Sequence, residues 1–218
     1  MSITLNFLGR DSGFGEQNNS AYYIDGDELI IIDCGYTVFN MIKKKFDLKE
    51  YSKITVIITH LHNDHAGSLG QLILYSWFVY HKKVNIVSNC LKIKEYLDIT
   101  GTPKDAYDLL EDYKEIEFIK TEHVEHLDSY GFKISLGGKK ILYTGDTRIL
   151  DPFLPYVKEI DEFYIDVSRY GGAHIKFDDV VDKLFELKNM GIEIILMHMD
   201  DREYIESVSI EKEMDKLI

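Results

Sequence analysis

A cluster of histidine and aspartate residues directly follows an apolar, β-branched segment, and this junction constrains the chain more than any other feature. Residues 54–59 predict a buried strand, and His60, His62, Asp64 and His65 come immediately after it. Buried without partners, these side chains would carry a heavy desolvation cost. Imidazole nitrogen and carboxylate oxygen suit zinc, and also manganese or iron. We therefore expect a metal site here; the alternative is a solvated surface cluster.

The spacing divides these four residues into two pairs. His60 and His62 are two apart in an extended segment, so their side chains point the same way and can share one ion. Asp64 and His65 are adjacent at a turn and are expected to face a second ion. Each ion then needs further ligands from distant parts of the chain and an open position for water.

The segment Thr-His-x-His-x-Asp-His over residues 59–65 resembles the signature of metallo-β-lactamase-fold hydrolases. Residues 31–35, 142–147 and 195–198 extend the resemblance over nearly the whole chain. It implies an α/β fold of the αββα sandwich type, with two mixed β-sheets flanked by helices, in a single domain over residues 1–218. It also implies two divalent metal ions as cofactors, zinc first, with manganese or iron as alternatives.

The resemblance also places the remaining metal ligands. Asp146 matches the aspartate that bridges both metals, and His198 matches the histidine that completes the second site. Residues 122–126 offer two histidines; His126 fits better, because a short loop and a strand resuming with an aromatic after glycine follow it, and His123 is the alternative. The metal ligands implied are therefore His60, His62, Asp64, His65, His126, Asp146 and His198.

Residues 167–204 are most similar to ribonuclease Z and related phosphodiesterases. His174 matches a histidine that lies beside the metals in that family and contacts the scissile phosphate. Asp166 stands where the family usually has a glutamate that orients this histidine. The resemblance thus implies catalytic roles for His174 and Asp166. We expect Asp64, a ligand with a spare oxygen, to be catalytic as well, by orienting the attacking water or accepting its proton. The alternative for His174 is a surface histidine after two glycines.

Two features separate the chain from ribonuclease Z itself. Only residues 127–145 lie between His126 and Asp146, where that family commonly inserts its long basic tRNA-binding arm. The formal net charge of −13, from 38 acidic and 25 basic residues, opposes binding of long polyanions. We therefore expect a small phosphodiester as substrate, such as a cyclic nucleotide, rather than a long nucleic acid.

Two other functions remain open at this point. An acyl hydrolase acting on a lactone, thioester or β-lactam would use the same metals, because they polarise a carbonyl as readily as a phosphoryl group. His174 discriminates here, since acyl hydrolysis does not need it. A metal-stabilised binding module would keep the ligands without turnover. A homodimer is suggested only by the resemblance.

Composition bears on location and on the cysteines. The sequence contains no apolar run of about 18 residues and no signal-peptide pattern at its start, which predicts a cytoplasmic protein without a membrane span. The two cysteines are too few for a disulfide framework. We expect Cys90 to be a small buried hydrophobic residue. For Cys34 we expect either a packing role or a redox-sensitive thiol.

The pattern of apolar residues predicts consecutive runs of strands with helices inserted between them. Helices are expected over residues 38–46, 67–81 and 178–190. The sequence Thr-Pro-Lys-Asp over residues 102–105 predicts one more helix start, because threonine can cap a helix and proline suits its first turn.

Overall fold

Each half of the chain builds its own mixed β-sheet in a computed structural model that describes residues 3–211. The N-terminal unit comprises residues 5–113, and the C-terminal unit comprises residues 3–4 together with 114–211. Helices accompany both sheets, so the prediction of two mixed sheets flanked by helices is confirmed. That the chain forms a single domain stays a prediction.

The N-terminal unit contains a six-stranded sheet whose strands lie side by side in chain order. The first three strands pair antiparallel, and the pairs from the third strand onwards are parallel. The strands are β1 (Asn6–Gly9), β2 (Ser20–Asp25), β3 (Glu28–Ile32), β4 (Lys53–Ile57), β5 (Val84–Val87) and β6 (Tyr107–Leu110).

Helices connect the parallel strands of this unit, because a parallel pair requires a crossover connection. α1 (Val38–Lys45) leads from β3 to β4, and α2 (Asn63–Ala66) and α3 (Leu69–Tyr80) lead from β4 to β5. α4 (Ile93–Ile99) lies between β5 and β6. Residues 29–32 of β3 are fully buried, and such a continuous apolar run is typical of a strand in a parallel sheet.

The C-terminal unit contains a five-stranded sheet in the order β11-β10-β9-β8-β7. The pairs β7–β8 and β8–β9 are antiparallel, whereas β9, β10 and β11 run parallel. Two helices complete the unit: α5 connects β10 to β11, and α6 follows β11. The elements are β7 (Glu117–Lys120), β8 (Tyr130–Leu136), β9 (Lys139–Tyr143), β10 (Glu162–Asp166), α5 (Phe177–Asn189), β11 (Glu193–Met197) and α6 (Arg202–Glu211).

The predicted functional residues follow the carboxyl ends of parallel strands in both units. In the N-terminal unit, β3 ends one residue before Asp33 and β4 ends three residues before His60. In the C-terminal unit, Asp166 is the last residue of β10, and His198 follows β11 directly. Neighbouring parallel strands end at the same edge of their sheet, so each unit gathers its functional residues at one edge.

The predicted helix start at residues 102–105 is wrong. Lys104–Ala106 form a single 3₁₀ turn, and the chain continues as β6, which pairs in parallel with β5. The capping pattern is local, and pairing with β5 overrides it. The helix predicted over residues 178–190 is present as α5, whose buried side chains Phe177, Val181, Leu184 and Leu187 form one stripe. Across residues 3–211, every helix is too short or too polar to span a bilayer.

Candidate metal centre

Four of the predicted metal ligands lie together in the N-terminal unit, just beyond β4. His60 Nε2 lies 3.1 Å from His62 Nδ1, and His65 Nε2 lies 3.3 Å from Asp64 Oδ2. The rings of His60 and His65 are 4.0 Å apart between centroids, and both side chains are fully buried. Imidazole nitrogens and a carboxylate oxygen at such short separations form a donor set that fits a divalent cation.

The backbone around α2 holds this group in place. Cys34 N donates to His65 O at 2.6 Å, and Tyr36 N donates to Asn63 O at 3.0 Å. Gly35 is required here, since a Cβ atom at this position would lie 1.9 Å from the backbone oxygen of Asp64. The loop after β3 therefore packs directly on the turn that carries Asp64 and His65, and no larger residue allows that approach.

Asp33 orients His65 from a fully buried position in the left-handed region, with φ of 59°. Its Oδ2 lies 2.8 Å from His65 Nδ1, and Thr59 donates its backbone N–H to Asp33 Oδ1 at 2.8 Å. The Thr59 hydroxyl lies within 3.1 Å of both carboxylate oxygens. Burial raises the pKa of the Asp33 carboxyl, while the charge and hydrogen bonds of His65 and Thr59 act in the opposite sense. With Nδ1–H bonded to Asp33, the lone pair of His65 Nε2 is available for a metal.

The sequence pattern assigns no role to Asp33, although Asp33 lies in the 31–35 segment that carries part of the family resemblance. The available signal was a carboxylate placed directly after a run of apolar strand residues. Burying an acidic side chain at that position costs free energy unless buried groups form hydrogen bonds with it. Here Thr59 and His65 are those partners. The two cysteines are also buried, and burial raises the pKa of the Cys34 thiol to about 12.

A second group of predicted site residues lies in the C-terminal unit. Each of Asp146, Asp166, His174 and His198 offers one ligand atom, and these atoms all lie within 4.8 Å of one another. His198 Nε2 lies 3.5 Å from Asp146 Oδ2, and the rings of His174 and His198 stack with centroids 4.7 Å apart. Asp146 and Asp166 are both buried, and histidine nitrogens lie close to each carboxylate.

Asp166 holds His174 by a direct hydrogen bond. Its Oδ2 lies 2.9 Å from His174 Nδ1 and accepts the backbone N–H of Thr147 at 3.0 Å. Its Oδ1 lies 3.4 Å from His198 Nδ1. Burial lowers the pKa of His174, but the charge and hydrogen bond of Asp166, helped by the charge of Asp146, outweigh burial and raise it above its ordinary value.

The structure places His123, and not His126, beside Asp146. His123 is buried, its Nε2 lies 3.7 Å from Asp146 Oδ2, and its Nδ1 donates to the carbonyl oxygen of Ala173 at 2.9 Å. The side chain of His126 is exposed. The structure therefore favours His123, the alternative, as the histidine of this loop beside Asp146, because His126 is exposed; which of the two binds a metal stays a prediction.

The loop between β7 and β8, which carries both histidines, contains a sharp turn. Thr121 N donates to Ser129 O at 3.0 Å, which closes a loop over residues 121–129. Within it, Leu127 N donates to Val124 O at 3.4 Å, so the chain turns sharply between His123 and the end of the loop. Counting back from the strand β8 cannot reveal this turn, and His126, which lies within it, is exposed.

Comparison with protein families gives one assignment. The model of the Metallo-beta-lactamase superfamily matches residues 14–209. Among curated proteins, the chain is 25% identical over 236 aligned positions to the anti-Pycsar protein Apyc1 of Bacillus phage 010DV004, covering 92% of this chain and 90% of that protein. It is 26% identical over 203 positions to the probable metallo-hydrolase YhfI of Bacillus subtilis, covering 80% and 78%.

Solved structures show the same fold. The crystal structure of YhfI from Bacillus subtilis superposes with a TM-score of 0.74 at 18% identity, covering 94% of this chain and 92% of that one. Human tRNase Z, short form, superposes with a TM-score of 0.65 at 18% identity, covering 91% and 93%. The fold class predicted from the histidine motif is confirmed by these matches.

Proposed function

Since the chain belongs to the metallo-beta-lactamase superfamily, we propose that it is a dinuclear metal-dependent phosphodiesterase acting on a small phosphodiester such as a cyclic nucleotide. The observation that carries the proposal is the pair formed by His174 and Asp166 in the C-terminal unit. Acyl hydrolysis at two metals does not need a second, non-ligating histidine held by a carboxylate. Hydrolysis of a phosphodiester gains from one, because the leaving oxygen must be protonated.

The proposed ligands come from both halves of the chain, as the family resemblance implies. The N-terminal unit supplies four of them, and the C-terminal unit supplies three, with His123 in place of His126. Imidazole and carboxylate donors in this proportion favour zinc, and they also accept manganese or iron. The proposed ligands are His60, His62, Asp64, His65, His123, Asp146 and His198.

When bound, the two ions would offset negative charge on the phosphoryl oxygens and lower the pKa of a water molecule towards neutrality. The side chains that do not serve only as ligands complete the reaction. Asp64 orients the attacking water and takes its proton. His174 Nδ1 is held by Asp166, so Nε2 donates a proton to the leaving oxygen as the bond from that oxygen to phosphorus breaks.

The preference for a small substrate rests on charge and on chain length. With a net charge of −13, most of the surface repels a long polyanion. Between His123 and Asp146 the chain forms only the loop 121–129 and the strands β8 and β9 with their connections. Neither feature opposes a cyclic mononucleotide, which carries a single phosphodiester.

A substrate panel tests the proposal directly. Zinc-loaded or manganese-loaded protein is assayed with cyclic mononucleotides and bis(p-nitrophenyl) phosphate, and in parallel with a lactone, a thioester and a β-lactam. We expect phosphodiester hydrolysis that a chelator abolishes and added metal restores. Hydrolysis of an acyl substrate with the phosphodiesters untouched would instead establish the acyl hydrolase. Full metal loading without any turnover would favour a binding module.

A His174→Ala variant separates catalysis from metal binding. His174→Ala should lower kcat by roughly 10²-fold to 10⁴-fold, because it removes a general acid. Its metal content should match that of the wild type. Unchanged phosphodiesterase activity in this variant would remove the role assigned to His174.

The choice between the two histidines of the 121–129 loop has its own matched pair. His123→Ala should lower the bound metal measured by mass spectrometry, since it deletes an assigned ligand. His126→Ala should leave both metal content and activity unchanged, because its ring is exposed. The reverse outcome would restore the assignment made from the sequence.

A further inference from the structure

The loop that carries His174 is closed at its base. It runs from Val167, after β10, to Lys176, before α5. Ser168 N donates to Ile175 O at 2.8 Å, and Phe177 N donates to Ser168 O at 2.8 Å. Ser168 therefore lies where the two ends of the loop meet, and it is only 2% exposed.

The hydroxyl of Ser168 uses its full hydrogen-bonding capacity. It donates to Asp200 Oδ2 at 2.5 Å, and it accepts the backbone N–H groups of Tyr170 at 3.0 Å and Gly171 at 2.9 Å. One donor and two acceptor sites are all that a serine hydroxyl offers. The other oxygen of Asp200 accepts the backbone N–H of Arg169 at 2.8 Å. Ser168 and Asp200 together thus bind three consecutive backbone N–H groups of the loop.

These contacts determine where the loop turns back. Gly171 and Gly172 both have positive φ, 75° and 83°, which reverses the chain towards His174. A Cβ atom at Gly171 would lie 3.1 Å from Lys176 Cβ, so the two sides of the loop are in close approach. The reversal brings the His174 ring to Asp166 at 2.9 Å.

Asp200 also connects this loop to the end of β11. It stands two residues after His198, whose ring stacks on that of His174 at 4.7 Å. On the outer side, Arg169 pairs with Asp201 at 2.6 Å. A charge-assisted hydrogen bond such as that from Ser168 to Asp200 is stronger and more directional than a neutral one. The same strand end therefore holds both the loop and one of the two stacked rings.

We propose that Ser168 and Asp200 are positioning residues that hold the loop so that His174 Nε2 faces the leaving oxygen. The inference rests on the proposed function, because His174 is the group whose placement they control. Neither residue needs to touch the substrate. A loop that loses these bonds would still carry His174, with its ring held by the bond to Asp166 and the stacking on His198, but on a less constrained backbone.

Kinetics of three variants test this role. Asp200→Ala and Ser168→Ala should each lower kcat by about 10-fold to 100-fold, the effect expected of a displaced catalytic group. KM and metal content should stay at wild-type values. Ser207→Ala is the matched control: its hydroxyl donates to one carbonyl within α6, and its side chain is exposed. This control should keep full activity.

A double-mutant cycle separates positioning from general destabilisation. In a His174→Ala background, Asp200→Ala should cause no further loss of kcat, because it acts only through the missing ring. Independent losses that multiply would overturn the proposal. Hydrogen exchange gives a readout without substrate: the amides of Tyr170 and Gly171 should exchange faster in Ser168→Ala, and unchanged exchange would also overturn it.

The outcomes distinguish this inference from the function on which it rests. If the wild type hydrolyses phosphodiesters, and His174→Ala is impaired while Asp200→Ala is not, only the positioning role is overturned. If the wild type hydrolyses no phosphodiester, both are overturned. A loss in Asp200→Ala that disappears in the His174→Ala background supports both.

Discussion

Replacing Asp33 by asparagine should weaken metal binding, although Asp33 is not itself an assigned ligand. The carboxylate binds His65 Nδ1 at 2.8 Å through Oδ2 and Thr59 N at 2.8 Å through Oδ1. Asparagine keeps one oxygen and replaces the other by an NH₂ group, which can only donate. No orientation of the amide satisfies both Thr59 and His65 in the form in which His65 binds a metal.

Each orientation of the amide has a distinct cost. With the amide oxygen on Thr59 N, the NH₂ group faces His65 Nδ1, which must then accept and leave its proton on Nε2. That nitrogen is the one assigned to the metal, so the tautomer that binds metal is lost. With the amide oxygen on His65, the NH₂ group faces the N–H of Thr59, and two donors meet in a buried site.

The size of the effect follows from the way in which such partners act elsewhere. Removing a group that orients a metal-binding histidine typically lowers metal affinity or activity by about 10-fold to 100-fold. A tenfold change corresponds to about 1.4 kcal/mol, so the expected loss is about 1.4 to 2.8 kcal/mol of binding free energy. The fully buried position of Asp33 places the effect towards the upper end.

Competition with a chromophoric chelator measures the zinc affinity, and mass spectrometry measures the metal content. Asp108→Asn is the matched control in the same unit, since Asp108 is exposed and pairs with Lys83 at 2.9 Å. It should bind zinc like the wild type. If Asp33→Asn bound zinc with wild-type affinity, the argument that Asp33 selects the tautomer of His65 would be refuted.

Further predictions concern stability and thiol chemistry. Glu162→Gln should lower the free energy of unfolding, measured by urea titration, by about 3 kcal/mol. The buried carboxylate accepts the backbone N–H and the hydroxyl of Thr4 and pairs with Lys139. A loss below about 1 kcal/mol would contradict this prediction. Lys82→Met should lower it by about 2 kcal/mol, since its ammonium group donates to three backbone carbonyl oxygens. Cys34 and Cys90 should resist a disulfide reagent at pH 8 until the protein is unfolded, since both are buried and the pKa of Cys34 lies at about 12.

The strands that could be predicted are those whose residue types match their burial. The strand predicted over residues 54–59 is observed as β4, Lys53–Ile57, because its apolar, β-branched residues match their burial. β10 was not predicted, although all five of its residues are buried. Two of them, Glu162 and Asp166, are acidic. An acidic residue at each end makes the segment look less apolar than a buried strand usually is. Their partners come from distant parts of the chain and cannot be counted from the local sequence.

The residues of the candidate site also differ in how far they could be predicted from the local sequence. The residues of the Thr-His-x-His-x-Asp-His segment could be predicted because chemistry and spacing coincide within one short stretch. The choice between His123 and His126 depended on the turn of the 121–129 loop, which is set by the bond between Thr121 and Ser129. A motif compared by position alone cannot resolve a shift of three residues inside a loop.

Both units use one device to orient a histidine. A buried aspartate stands at the carboxyl end of a parallel strand, Asp33 after β3 and Asp166 at the end of β10, and each binds a ring Nδ1 within 2.9 Å. Each carboxylate also accepts a backbone N–H from the segment after a neighbouring strand, that of Thr59 or of Thr147. Because both bonds are made within a unit by protein groups alone, the rings of His65 and His174 are oriented before any ion binds. Preorganisation of this kind lowers the cost of assembling a metal site. It also turns Nδ1 of each ring to an aspartate, so that Nε2 is the atom proposed to bind metal in His65 and to donate a proton in His174.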